Sequence, residues 1–223
     1  MTASAGTNGA PLGSGSAEPI PAGIVADIEV LRGAYPTAII HAYVYRYQTY
    51  VYIARPLIAD CLRCLRDDAR TAYRLFSECM CVDYLDTKRG RPIQGRSERF
   101  EITYNLVSVR DPRTGNGSGR RLFVKVTVPE DDPVVPSVTG VYPGAAFPER
   151  EIYDMFGIRF DGHPDLRRIL MSDDWIGHPQ RKDYPLGGER VQFPDDTCGP
   201  SVGERAVQHP GEGFFGKTAG EVE

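Results

Sequence analysis

The chain has 223 residues, of which 41% are apolar and 25% charged, with a net charge of −4. That length suits one domain, or one domain with extensions, and the mild acidic balance argues against a nucleic-acid binder, which needs a basic stripe. No apolar run approaches the roughly 20 residues of a membrane-spanning helix, and residues 1–23 lack the basic start and apolar centre of a signal peptide. With no secretion signal, the five cysteines read as reduced thiols of a cytosolic compartment.

Residues 1–23 are mostly Gly, Pro, Ala and Ser with one charged side chain, Glu18, and read as a disordered lead-in. Ile24, Val25, Ile28 and Leu31 then fall at helical spacing, in a short amphipathic helix ended near Gly33 and Pro36. "AIIHAYVYRY" and "TYVYIA" are strand-like, and the polar break at Arg46–Gln48 predicts a hairpin. Pro56 opens a helix with Leu57, Cys61, Cys64 and Leu65 on one face. Ala72, Leu75, Phe76 and Cys79 repeat that spacing and predict a further helix. "RFEITYNL" and "RLFVKVTV" alternate apolar and polar residues, as half-buried strands do. The loop between them carries Gly115, Gly117 and Gly119, so the two strands should pair as a hairpin.

These elements predict an α+β fold: a mixed or antiparallel sheet with helices packed on one face, compact over residues 24–129. The remainder holds more than half of the prolines and glycines, and only Ala145–Phe156 within it looks helical. Yet it keeps Tyr153, Phe156, Phe160, Trp175 and Tyr184, which a solvated linker would not need. It is expected to form an irregular extended arm: a region over 130–193 ordered by partner surfaces, then an extended or disordered tail over 194–223.

Three motifs invite chemistry. Cys61 and Cys64 with Cys79 and Cys81 could supply four thiolates to zinc or an iron–sulfur cluster, but their helical placement and CxC spacing favour small core residues. The glycines at 115, 117 and 119 precede a strand, not the helix that a phosphate cradle requires. Two Gly-His-Pro triplets place His163 and His178 among Asp161, Asp165 and Asp183, residue types that ligate metals or transfer protons. No Ser or Cys nucleophile stands near them, and Arg167, Arg168, Arg181 and Lys182 would oppose a cation. The favoured reading is two imidazoles bonding backbone at similar turns. In "EREIYDMF", Ile152, Met155 and Phe156 form an apolar stripe with Glu149, Arg150, Glu151 and Asp154 outside it, either a solvated face or a docking helix.

The stretch "EREIYDMFGIRFDGHPDLRRIL", followed by "DDWIGHPQRKDYPLGG", resembles the signature region of the thirty-kilodalton subunit family of respiratory complex I, known in bacteria as the C subunit. Glu149, Arg150, Glu151, Asp154, Met155, Phe156, His163, Arg167, Ile169 and Leu170 occupy the positions of that motif. The resemblance extends over "FSECMCVDYL", "FEITYNLVSV", "LFVKVTV" and "VPSVTGVYP", about Ile39 to Phe193. Phe147-Pro148 stands where the family usually has a tryptophan, and Met155 where Phe is frequent.

The resemblance implies a structural subunit in the peripheral arm of proton-translocating NADH:quinone oxidoreductase, on the cytoplasmic side of the bacterial plasma membrane. No catalytic residue, cofactor or metal is implied on this chain itself; FMN and iron–sulfur clusters belong to partner subunits. The partners implied are the quinone-site subunit and the adjacent iron–sulfur subunits. The surface expected to grip them comprises Glu149, Arg150, Glu151, Asp154, Phe156, His163 and Arg167. It continues through Arg168, Trp175, His178, Arg181, Lys182 and Asp183. Two rivals stand beside this reading: the equivalent subunit of a membrane-bound hydrogenase or formate-oxidising complex, and a free-standing metal-dependent enzyme using His163 and His178.

Overall fold

A computed structural model describes residues 19–93, 95–109 and 119–185. The chain divides into two units, Met1–Gln180 and Arg181–Glu223. Of the second, the described residues form a turn in which the Tyr184 N–H donates to the Arg181 carbonyl at 3.0 Å.

The first unit begins with α1 (Ala22–Ala34), so Ala22 and Gly23 of the expected lead-in are already helical; residues 1–18 lie outside the described residues. Ile24, Asp27, Ile28 and Leu31 are its buried stripe, and Val25 points outward at 41% exposure. Asp27 takes an apolar position because its charge is met there. Arg120 grips it with two N–H groups, at 2.9 and 2.7 Å, and the Tyr73 hydroxyl donates at 2.7 Å.

The hairpin β1 (Ile39–Tyr45) and β2 (Gln48–Ile53) follows as expected. Arg46 and Tyr47 close it with φ of 50° and 63°, the left-handed pair that matches the twist of two-residue hairpins. A single 3-10 turn over Arg55–Leu57 carries Pro56 into α2 (Ile58–Asp67), which buries Ile58, Cys61, Leu62 and Leu65.

The helix expected around Ala72–Cys79 is not formed. Leu75–Asp83 is a strand, β3, paired antiparallel with a later strand along its whole length. Past a register shift between Phe76 and Glu78, exposed and more buried residues alternate from Glu78 to Asp83, and that period of two wins once a neighbouring strand offers backbone partners. Ala72 lies in the preceding turn with φ of 47°. A short ribbon, β4 (Leu85–Asp86) with β5 (Arg91–Pro92), leads into β6 (Phe100–Val107), and β7 (Arg121–Val128) returns antiparallel to it. Residues 110–118 of the intervening loop, with Gly115 and Gly117, lie outside the described residues.

The main sheet has the order β1-β2-β7-β6-β3 and is mixed, since β2 runs parallel to β7. One face carries the core: Phe100, Ile102, Tyr104 and Leu106 of β6 with Leu122, Val124, Val126 and Val128 of β7, all at 0% exposure. The other face of β6 is buried too, because Glu101 is neutralised where it stands. Tyr52 Oη, Lys125 Nζ and Arg96 Nη1 each donate to its carboxylate at 2.6 Å. Tyr43, Tyr50 and Phe123 stack beside this cluster with centroids 5.0 Å apart at each step.

The core does not stop at residue 129. After β8 (Val134–Pro136) and a 3-10 turn at Pro143–Ala145, helix α3 (Ala146–Phe156) packs on β3, and β9 (Arg159–Asp161) pairs parallel with β8. Val135, Val138, Val141, Tyr142, Ile152, Met155, Phe156, Ile158 and Phe160 belong to the same buried cluster as the sheet. Among the described residues no helix is long and apolar enough to cross a membrane.

Arg99 and Asp83 are each 2% exposed and paired at 2.9 Å. Arg99→Ala should therefore remove the paired cation from a buried carboxylate and lower stability by about 3–5 kcal/mol. Arg89→Ala breaks an exposed pair at 3.6 Å and should change it by less than about 1 kcal/mol. Urea unfolding of the two full-length variants checks the contrast.

Candidate functional site

The residues singled out by the two Gly-His-Pro segments converge on α3. Asp154, on the third turn of that helix, has 0% exposure, and its carboxylate gathers the following segment. Oδ2 accepts the consecutive backbone N–H groups of Ile169, Leu170 and Met171 at 3.0, 2.8 and 2.8 Å. Oδ1 accepts Nη1 of Arg168 at 2.6 Å. Burial pushes this carboxyl upward, but the backbone donors and the guanidinium outweigh it and hold the group below the usual carboxylate range.

Arg168 extends the hub. Its Nη2 donates to the carbonyls of Trp175 and Gly177 at 2.9 and 3.0 Å. Arg150, one turn before Asp154, donates to the carbonyls of Arg167 and Arg168 at 3.1 and 2.8 Å. These guanidiniums satisfy carbonyls that irregular backbone would otherwise leave unpaired.

The histidines perform matching tasks at the two ends of α3. His163 Nε2 lies 3.1 Å from the Ala146 carbonyl, and its Nδ1 accepts the Asp165 N–H at 3.0 Å. The ring is therefore the Nε2–H tautomer. His178 Nδ1 lies 2.9 Å from the Asp154 carbonyl and donates to it. Gly162 and Gly177, before each histidine, have φ of 79° and 87°, a region L side chains rarely adopt. The repeated triplet is thus one device used twice: a glycine reverses the chain, the imidazole bonds a helix carbonyl, and proline holds the histidine's own backbone extended.

The expected partner surface divides. Glu149, Asp154 and Phe156 are 0%, 0% and 7% exposed, so they are withdrawn from the surface of the chain. Glu149 ties α3 to the 137–139 turn, accepting from Ser137 Oγ and the Val138 N–H at 2.6 and 2.7 Å. Arg150, His163, Trp175 and His178 are half-buried. Glu151 is exposed, and Arg167 reaches solvent at 69% side-chain exposure beside Asp165. In the second unit Lys182 and Asp183 are exposed and Arg181 is half-buried.

What the sequence reading missed is apolar. Phe147, Leu170 and Ile176 are 65%, 59% and 73% exposed, and Ile169 is at 36%. Their signal was present: apolar residues next to charged ones whose partners lie within the chain. Leu170 and Ile169 face outward because their own N–H groups are turned in to Asp154.

The four described cysteines do not assemble into a metal shell. Cys61 and Cys64 lie on α2, Cys79 and Cys81 on β3. Among the described residues no group of three or more His, Cys, Asp or Glu converges as a metal shell; Cys198 lies outside them. Burial pushes the Cys61 thiol up to about 12, away from the thiolate that metals bind.

These features define a class: an α+β scaffold whose signature segment spends its charges in folding an irregular arm back onto one helix. The model of the family described as "Respiratory-chain NADH dehydrogenase, 30 Kd subunit" matches residues 51–190, more than half of the chain, and the chain belongs to that family. It is 45% identical over 166 residues to the C subunit of NADH-quinone oxidoreductase from Roseiflexus sp. (strain RS-1), covering 74% of this chain and 86% of that one. It is 42% identical over 183 residues to the C subunit of the same enzyme from Salinispora arenicola (strain CNS-205), covering 81% and 69%. A solved structure of an archaeal respiratory membrane complex, the membrane-bound sulfane sulfur reductase, holds a chain of similar fold. Its TM-score is 0.56 at 23% identity, over 73% of this chain and 85% of that one.

Asp154→Ala should free the hub. Hydrogen bonds to a charged acceptor are worth about 1.5–3 kcal/mol, so the amides of residues 169–171 should exchange roughly 10–100-fold faster. Because folding lowers the Asp154 pKa, its contribution is present above the unfolded value of about 3.9 and lost as pH falls through the folded one. Hydrogen exchange at pH 6 on wild type and variant, and limited proteolysis of wild type at descending pH, check both statements.

Proposed function

We propose that the chain is a non-catalytic structural subunit in the peripheral arm of NADH:quinone oxidoreductase. That enzyme passes electrons from NADH through FMN and iron–sulfur clusters to quinone and couples the transfer to proton translocation. In this reading FMN and the clusters sit on partner subunits. The chain binds the quinone-site subunit and the adjacent iron–sulfur subunits, and reaches the cytoplasmic face of the plasma membrane only through them.

The observation that carries the reading, beside family membership, is the division of labour in the signature segment. Asp154, Arg150, Arg168 and both histidines bond backbone within the chain. Side chains spent in this way are not poised for acid–base chemistry on a substrate. What they leave exposed in the same segment is Phe147, Leu170 and Ile176 among the apolar residues and Arg167 and Glu151 among the charged ones. Interfaces take this form, apolar anchors with a charged rim. Arg168, 15% exposed and paired with Asp154, serves as an internal strut, and Arg167 as a rim charge.

Leu170→Asp with Ile176→Asp should sharply lower the amount of assembled complex, and NADH:quinone activity should fall in proportion. Circular dichroism of the isolated chain should be unchanged, since both side chains already lie in water. Oxidation of NADH by an artificial acceptor at the flavin should persist. Arg167→Ala should have a small effect, as rim charges do. Native gels and mass spectrometry of detergent-solubilised membranes read the outcome; full assembly of the doubly substituted chain would refute the surface.

A further inference from the structure

Among the described residues of the first unit five carboxylates are buried: Asp27, Asp83, Glu101, Glu149 and Asp154. Four of them face a cation, namely Arg120, Arg99, Lys125 with Arg96, and Arg168. Glu149 is different. It is 0% exposed, and among the described residues it forms no ion pair. Its two hydrogen bonds come from neutral groups, the Ser137 hydroxyl and the Val138 N–H.

Among the described residues the elements packed around it bring no positive charge to its carboxyl. From β3 come the Cys79 and Cys81 thiols and from β6 the Tyr104 phenol, and burial pushes all three upward, so that they are neutral at physiological pH. The 137–139 turn supplies Ser137 and Thr139, hydroxyls 2.8 Å apart. On α3 itself Asp154 is occupied by Arg168 and Arg150 by carbonyls of the following segment, while Glu151 is exposed. His163 bonds the Ala146 carbonyl. The Tyr104 hydroxyl is buried with no partner of its own.

A carboxylate enclosed in this way has strong reason to keep its proton. We propose that Glu149 is a proton-binding site built into the seam between α3, β3 and the 137–139 turn, and that its ionisation loosens the seam. The geometry accommodates both states. A neutral carboxyl donates to Ser137 Oγ; an ionised one accepts from it, and the Ser137–Thr139 pair can reverse to suit, since a hydroxyl serves as donor or acceptor. The Val138 N–H donates to Oε1 in either state. Ionisation, however, sets a charge beside the Cys79 thiol, the Tyr104 phenol and core side chains. Burial raises this group to about 7, with Ser137 and Val138 pulling it down. A carboxyl whose pKa rises on folding stabilises the fold fully below its unfolded pKa, and that contribution is lost as pH rises through the folded one. The seam should therefore be tightest in mild acid and loosen towards pH 8.

The test uses the full chain. Carbon-13 spectra of the Glu149 carboxyl and the amide signal of Val138 are followed from pH 4 to 8.5, together with melting temperature. Both signals should titrate with one midpoint near neutrality, and melting temperature should decline over the same range. Glu149→Gln, which mimics the neutral carboxyl, should abolish the Val138 titration and melt above wild type at pH 8. A Glu149 midpoint in the ordinary carboxylate range, or a Val138 amide that does not move, would overturn the proposal. The wild-type titration decides the matter even if the variant folds poorly.

Discussion

Asp154 is a charge removed from water and surrounded by donors: three successive N–H groups and one guanidinium converge on its two oxygens. A segment as irregular as 162–180 has few backbone partners of its own, so its position is set by what gathers it. Asp154 gathers its centre, Arg150 and Arg168 collect its carbonyls, and the two imidazoles fasten it to the ends of α3. The outward direction of Ile169 and Leu170 follows, since their N–H groups point inward. The surface proposed to meet other subunits thus depends on an anion that no partner could reach.

The same principle recurs across the first unit. Asp27 joins α1 to the residue before β7 through Arg120, Asp83 holds Arg99, and Glu101 binds four side chains on the far face of the sheet. Each carboxylate links elements distant in sequence, and each is satisfied by a cation and by hydrogen bonds, as buried charges require. Such pairs add less net stability than their short distances suggest, because desolvation opposes them. Their contribution here is orientation: every pair has one geometry in which all members are satisfied. Glu149 departs from the pattern in having no cation, and its seam is therefore the one whose charge state is open to change.

Much of this architecture can be read from the chain alone. Periodicity located α1, α2, α3 and the β1–β2 and β6–β7 hairpins, because an apolar face is a local pattern with a local cause. Pro56 marked the start of α2 for an equally local reason, its fixed φ. The two Gly-His-Pro triplets were legible as paired turns, and the order of motifs through residues 149–185 carried the family.

What the tertiary structure decided is wherever the decisive partner is remote. Residues 72–79 satisfy helical spacing, and only β6, more than twenty residues later, makes Leu75–Asp83 a strand. Asp27 looked like the polar side of α1 until Arg120, just before β7, reached it. Glu149 and Asp154 lie where spacing alone would set a solvated helix face. They are buried because Val138, Met171 and their neighbours bring donors from other parts of the chain. Residue types and spacing determine local conformation and the inventory of charges. Which charges are withdrawn from water, and which side chains are left to face it, is settled only when distant segments close around them.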